Sequence, residues 1–414
     1  MFISKTFVAL TTGLIAGLLP QYVSAQNGWP APEAMEGTIP NNPIAQTLDP
    51  ALIRRQSDNK LFLYTTGKNG SVWTADSLYG PWTHEGTAKF REYGGAPSIH
   101  RIGDTYYVYI NNHEFDYSTV GVTDPAIHTW AHNSSLLVAS SKTLEIGDWK
   151  WHGRLEIDWA KRYNILDAAL LTIDDGGKRR NLLSFGSYQQ GIFQLPLADP
   201  PIKIADGANK NINHLANNKT SAFPNGPTEA AYIFKWQDWY YLFFSSGRCC
   251  KQPDGHWVDR GDVYKVMVCR SKQPGSGYVD DKGADCANDN GGKEILGTHN
   301  NIWAPGGQGV MVDDEAGGPI IYYHYVPYDV QTKTPANEFR FGWNKLDFSS
   351  GWPAVVQFDT FIAAAILAVS TNAGVVQRQN PNIAQFSASR ESDYSGSASA
   401  GTYIVSQSEN DACK

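Results

Sequence analysis

The chain has 414 residues, a net charge of −7 and no basic run, which argues against a nucleic-acid partner. A chain of this length can bury a core large enough to be stable without disulfides. Its 13 Trp, 21 Tyr and 17 Phe exceed what sheet cores alone require, and the surplus suits a site where sugar faces stack on aromatic rings.

The N-terminus carries Lys5, the apolar run FVALTTGLIAGLL and then Val23-Ser24-Ala25. That order of charged start, apolar middle and small-residue end predicts a signal peptide over 1–25, too short in its apolar part for a membrane span. The sequons at Asn69, Asn133 and Asn218 agree with a secreted, extracellular chain. After the leader, a two-beat pattern recurs five times. A short apolar strand is followed by a turn and an aromatic-rich strand that ends in small residues. The copies are DPALIRR with LFLYTTG, GGAPSIHR with YYVYINN, LDAALLTID with NLLSFGS, PTEAAYIFK with YYLFFSSG, and GQGVMVDD with IIYYHYV. At about 66 residues per copy, with Gly and Asp turns, residues 26–355 predict an all-β, five-bladed propeller of four-stranded antiparallel blades. Short, β-branched, aromatic runs exclude helical repeats.

From residue 356 to 414 the composition turns Ala-rich and then Ser/Gly-rich, predicting a low-complexity, partly disordered tail. Five cysteines are present, at 249, 250, 269, 286 and 413, so at least one thiol is left over within a single chain. A local staple such as Cys250 to Cys269 is one possible pairing. No C-x-x-C spacing supports a zinc site.

Aligned on their apolar residues, the five copies open on Asp49, Ala96, Asp167, Glu229 and Gln308. In a propeller the first strand of each blade lines the axis, so three acids distant in sequence would converge at one mouth. Asp49 and Asp167 lie nearly two copies apart, and Glu229 one copy further. Convergence is what glycoside hydrolysis requires, since one carboxyl protonates the leaving oxygen while another activates water or attacks carbon. The remaining acid can raise the donor's pKa and fix its rotamer. Trp82, Trp149, Trp151 and Trp303 are available as sugar platforms, and GSYQQGI would bring Ser187 and Tyr188 to the channel beside Asp167.

These stretches resemble glycoside hydrolase family 43, and within it the secreted fungal arabinanases. The resemblance rests on DPALIRR, NILDAALL, GSYQQGIFQLPL, GPTEAAYIFKWQDWYYLFFSSGRCC, APGGQGVMVDD, GPIIYYHYV and FGWNKLDFSSGWP, in order, over residues 45–355. It implies a five-bladed propeller and an inverting hydrolysis with Asp49 as general base, Glu229 as general acid and Asp167 as the residue that tunes and orients the acid. Inversion needs base and acid about 6.5–9.5 Å apart. The chain departs from the family pattern at Leu48, where His often precedes the base, at Ser98 in place of an Asp, and at Gln308 in place of a channel His that often binds calcium. Gln308 and His324 are therefore the candidate calcium contacts; no cofactor is otherwise required.

The expectation is a secreted endo-acting hydrolase of α-1,5-L-arabinan, the side chains of plant pectin, working as a monomer away from any membrane. Ser187, Tyr188, Trp303 and Gln308 are expected at the substrate. An α-L-arabinofuranosidase or β-xylosidase of the same family is the alternative enzyme. A non-catalytic glycan-binding propeller is the alternative outside enzymology.

Overall fold

The computed structural model describes residues 28–35 and 47–357, apart from 67–69, 89–93, 113–133, 159–163, 189, 219–225, 250, 252–254 and 337. The expected signal peptide, the tail beyond 357, the sequons at Asn69 and Asn133, and Cys250 and Cys413 lie outside the described residues.

Five antiparallel sheets follow one another along the chain. The first blade holds β1 (Ala51–Arg54), β2 (Leu61–Thr65), β3 (Ser71–Ala75) and β4 (Thr83–Thr87). The second holds β5 (Gly94–Ile102), β6 (Thr105–Asn112), β7 (Ser135–Ser141) and β8 (Lys150–Arg154). The third is β9 (Ala169–Asp175), β10 (Lys178–Phe185), β11 (Ile192–Leu197) and β12 (Asn213–Ala216). The fourth is β13 (Thr228–Trp236), β14 (Trp239–Ser246), β15 (Lys265–Ser271) and β16 (Lys293–Leu296). The fifth contains β17 (Ile302–Asp313), β18 (Gly318–Asp329), β20 (Arg340–Asp347) and β21 (Ala354–Val356), with the short β19 (Thr334–Pro335) paired only to β18. The expected five-bladed propeller is thus the observed fold.

Second strands sit between two neighbouring blades, and their sequences show it. β2 reads LFLYT and is buried at every position. Because successive side chains point to opposite faces, Leu61 and Leu63 enter a core shared with Ile320, Phe341 and Trp343 of blade five. Phe62 and Tyr64 enter the core shared with Ile99 and Val108 of blade two. Three equivalent clusters join blades two and three, three and four, and four and five. A run apolar at every residue, rather than alternately, is what a strand covered on both faces requires. Trp82 is one of these core residues and is 5 % exposed; Trp149 and Trp151 pack on the core between blades one and two. Trp82 therefore has no open ring face for a sugar, while Trp149 and Trp151 are partly exposed.

Among the described residues no blade takes a strand from the other end of the chain, and the seam between blades five and one is held by side chains and by the segment before β1. Arg54 Nε donates to Asp313 Oδ2 at 2.6 Å, and Nη2 to Glu315 Oε2 at 3.1 Å. Asp313 has a fully buried side chain. The segment before β1 adds backbone bonds across the seam, Glu33 N–H to Trp343 O and Thr47 N–H to Phe339 O.

A disulfide joins Cys269 of β15 to Cys286, with Cα atoms 6.6 Å apart. This replaces the expected Cys250–Cys269 pairing. Cys269 lies in mid-strand with its side chain in the core between blades three and four, where Cys286 also points.

Candidate active site

Each blade brings the same joint to the mouth of the axial channel. Thr66, Asn111, Gly186, Ser245 and His324, at the ends of the second strands or within them, stand opposite Leu48, Gly95, Leu166, Glu229 and Gly306. The next residue of each inner segment is left-handed: Asp49 at φ 47°, Ala96 at 40°, Asp167 at 55°, Ala230 at 53° and Gly307 at 58°. Four of these five residues are not glycine, which concentrates roughly 1–3 kcal/mol of backbone strain apiece at the mouth. All five line the axial cavity.

This register corrects the alignment expected from apolar residues. Asp49 and Asp167 are equivalent, but their counterpart in blade four is Ala230, and in blade five it is Gly307. Glu229 sits one position earlier. The same bulge follows the joint in every blade, so the one-residue slip comes from the unbroken apolar run Ala230 to Phe234, which has no polar residue to fix its register. The Glu229 side chain is aimed differently from the two aspartates, as an acid opposed to a base must be.

The left-handed turn leaves each N–H pointing at the preceding blade, where a second-strand side chain receives it. Ala96 N–H donates to Thr66 Oγ1 at 2.8 Å, Asp167 N–H to Asn111 Oδ1 at 2.8 Å, Gly307 N–H to Ser245 Oγ at 3.1 Å and Asp49 N–H to His324 Nδ1 at 3.1 Å. Blade three cannot follow this rule. A Cβ at Gly186 would fall 2.1 Å from Gly191 O, so no side chain fits there. The N–H of Ala230 turns instead to Asp167 Oδ2, at 3.2 Å.

The three carboxyls have different surroundings. Asp49 accepts from Thr66 Oγ1 at 2.7 Å and keeps a side chain 27 % exposed. Burial and the Asp167 charge push it from 3.8 up to about 7, against the pull of Thr66. Asp167 accepts from Asn111 Nδ2 at 2.8 Å and from Ala230 N. Burial pushes Asp167 upward, while those two donors favour its anion. Glu229 is 8 % exposed, accepts from Ser187 Oγ at 2.5 Å and faces Tyr264. Burial first, then the Asp167 charge, push it from 4.5 up to about 8, with Ser187 and Tyr264 pulling the other way. Glu229, more deeply buried than Asp49, thus keeps its proton near neutrality, which suits a general acid.

His324 lies 3.6 Å from Asp49 Oδ1, yet the pair is not an ion pair. Its Nδ1 lone pair already receives the Asp49 N–H, and burial pushes the imidazole down to about 3, so the ring is neutral. Its Nε2 is buried without a hydrogen-bond partner among the described residues, and Tyr264 stacks on the ring at 5.7 Å.

Other expected site residues are engaged elsewhere. Ser187 gives its hydroxyl to Glu229 and is 3 % exposed, while Asn164 Nδ2 donates to its carbonyl. Gln308 uses both ends of its amide: Oε1 accepts from Ser245 Oγ at 2.7 Å and Nε2 donates to Ala230 O at 2.7 Å. Gln308 nevertheless lines the axial cavity, while Ser187 meets Glu229 directly. Trp303 stacks on Tyr328 at 5.1 Å under the Arg260 guanidinium and is 6 % exposed, so it has no open ring face for a sugar. Tyr188, half-buried and left-handed at φ 54°, remains at the site; burial and the Glu229 charge push its hydroxyl upward.

Calcium takes six to eight oxygen ligands. Gln308 Oε1 and His324 Nδ1 are both committed to protein donors, and among the described residues no group of three His, Cys, Asp or Glu side chains is set to hold a metal.

Thr66, Asn111 and Tyr264 were not singled out from sequence. Thr66 and Asn111 occupy one fixed place in the second beat of the repeat, TTG and INN, and reading that beat for polar residues would have found them. Tyr264 follows no such pattern. Nor was the half-buried free thiol of Cys249 expected at the acids; burial and their charges push it upward.

The profile of glycosyl hydrolases family 43 matches residues 40–353. The chain belongs to that family. A family 43 relative, arabinan endo-1,5-alpha-L-arabinosidase A of Aspergillus aculeatus, is 37 % identical over 84 % of this chain and 98 % of its own length. The enzyme of the same name from Aspergillus niger is 35 % identical over 81 % and 97 %. Among solved structures, Cellvibrio cellulosa alpha-L-arabinanase superposes with a TM-score of 0.59 at 21 % identity, covering 77 % of this chain and 97 % of the other. At that identity the likeness speaks for the fold. As a family 43 member the chain is a glycoside hydrolase. Among the described residues no helix is long and apolar enough to cross a membrane.

Proposed function

We propose that this chain hydrolyses internal α-1,5-L-arabinofuranosidic bonds of arabinan with inversion, outside the cell and without a required cofactor. The observation that carries the reading is the trio of Asp49, Asp167 and Glu229 at the channel mouth, two on equivalent joints and one turned away from them. Aspergillus relatives named for arabinan endo-hydrolysis support the substrate.

In this reading Asp49, held by Thr66 and by its own N–H on His324, takes a proton from water as the water oxygen bonds to the anomeric carbon. The glycosidic C–O bond breaks, and Glu229 gives its proton to the departing oxygen. Asp167 stays charged, holding the proton on Glu229 until the leaving oxygen needs it. Asp49 ends protonated and Glu229 ionised, and exchange with solvent restores both. Tyr188 is the substrate contact.

Incubation with linear debranched arabinan, with product sizing and anomer analysis of the first products, tests this. Short oligosaccharides of inverted configuration are expected. Free arabinose alone would point to an exo-acting arabinofuranosidase, and binding without release would point to a glycan-binding propeller.

A further inference from the structure

We propose that Asn111 is the positioning residue that holds Asp167 as an anion and thereby keeps the acid's proton on Glu229. The proposal rests on the reading of Glu229 as the general acid. A carboxamide carries a donor and an acceptor fixed in one plane, and Asn111 uses both on the same residue. Its Oδ1 receives the Asp167 N–H, and its Nδ2 donates to Asp167 Oδ1, each at 2.8 Å. Asn111 is itself 2 % exposed.

The comparison among joints explains why Asn is needed in this one. At Thr66 and Ser245 a hydroxyl receives the next blade's N–H and donates its single proton elsewhere, to Asp49 and to Gln308. At His324 the neutral ring receives the N–H of Asp49 and its second nitrogen has no hydrogen-bond partner among the described residues. Only Asn111 grips both the backbone and the carboxylate of the residue it supports. Gly186 then adds the second donor by default, because the empty joint of blade three diverts Ala230 N–H to Asp167 Oδ2.

The titratable groups around this cluster come from every blade: Asp49 before β1, the buried neutral His100 in β5, Tyr188 after β10, Glu229 and Tyr232 in β13, Cys249 after β14, Tyr264 before β15, and Tyr322 and the neutral His324 in β18. Arg248 acts on Tyr188 and Cys249. The main influences on Glu229 are burial, Asp167, Ser187, Tyr264 and Asp49, none of them a cation. The two donors that favour the Asp167 anion against burial, Asn111 Nδ2 and Ala230 N–H, are both neutral. Without Nδ2, the proton shared between Asp167 and Glu229 moves toward Asp167, and the acid arrives at the reaction ionised.

Asn111→Ala removes the donor to the Asp167 carboxylate outright, and Asn111→Ser leaves one shorter hydroxyl in place of the carboxamide's separate donor and acceptor. Turnover is compared on linear arabinan and on an arabinobioside bearing a 2,4-dinitrophenolate leaving group, which departs without protonation. General acid catalysis contributes about 10²–10⁴-fold, so a partial loss of about 10–100-fold is expected on arabinan, with less than about 3-fold on the activated substrate and KM little changed. Equal loss on both substrates, or none on arabinan, overturns the proposal. Glu229→Gln on the same pair separates the two readings. If it loses both substrates equally, Glu229 is not the acid. If it splits them and the Asn111 variants do not, the fault lies with Asn111 alone. Melting temperatures of both Asn111 variants guard against a folding loss, and either variant that folds decides the question.

Discussion

Glu229→Gln should change how stability depends on pH, whatever it does to catalysis. In the folded chain the Glu229 carboxyl is raised from 4.5 to about 8 by burial and the neighbouring Asp167 charge. The unfolded chain releases this proton near 4.5, while the folded chain holds it until about 8. The folded state therefore binds more protons across that window, and its stability falls as pH rises through it. At about 1.4 kcal/mol per pKa unit, the ceiling on this loss is about 5 kcal/mol. Asp167 and Asp49 take up part of the same interaction, so roughly 2–3 kcal/mol is the expected share for Glu229. A glutamine has no proton to release and should escape the loss. The gap in melting temperature between Glu229→Gln and wild type should thus widen, in favour of the variant, by about 3–6 °C between pH 5 and pH 9. Scanning calorimetry at the two pH values measures it. Taking the difference between pH values cancels any fixed cost of reversing the Ser187 hydrogen bond. A gap that stays constant within about 1 °C would refute the raised carboxyl and the electrostatic ordering built on it.

Two further outcomes are expected. Asp167→Asn removes the charge that raises Glu229, so the alkaline limb of kcat/KM in its residual activity should move down by about one pH unit or more, read from a pH–rate profile; an unmoved limb would separate Asp167 from the acid. Arg54→Met leaves the buried Asp313 without its cation at the seam and should cost about 3 kcal/mol, seen in urea unfolding, while Asp313→Asn in the same background should recover part of it.

Much of this architecture is legible in the primary structure. The fivefold beat, the doubly buried second strands and the acids Asp49, Asp167 and Glu229 all leave a mark on residue type and spacing. The finer placement does not. Aligning PTEAAYIFK on its apolar residues puts Glu229 level with Asp49, because the run from Ala230 to Phe234 is apolar throughout and can slide by one residue without a mismatch. The left-handed turn at Ala230 has no residue signature either, since alanine is held there by its neighbours and not by preference. Gln308 likewise reads as a channel ligand by position, yet its amide reaches back to Ser245 and Ala230. Cys269 finds Cys286 because both side chains enter the same interblade core, a proximity that sequence distance does not reveal. The joint residues Thr66 and Asn111 were legible in principle, on the second beat of each copy rather than the first.

The seam between the last blade and the first has a bearing on when the protein becomes active. Asp49 belongs to the blade made earliest, but the imidazole that receives its N–H, His324, belongs to the blade made last. A chain emerging from the ribosome can build four blades and both remaining acids while its base still lacks its backbone anchor. Competence then arrives in one step, when the fifth blade docks and Arg54 finds Asp313. A nascent or C-terminally clipped chain that lacks this blade holds every carboxylate of the trio but not the imidazole that anchors the backbone of its base.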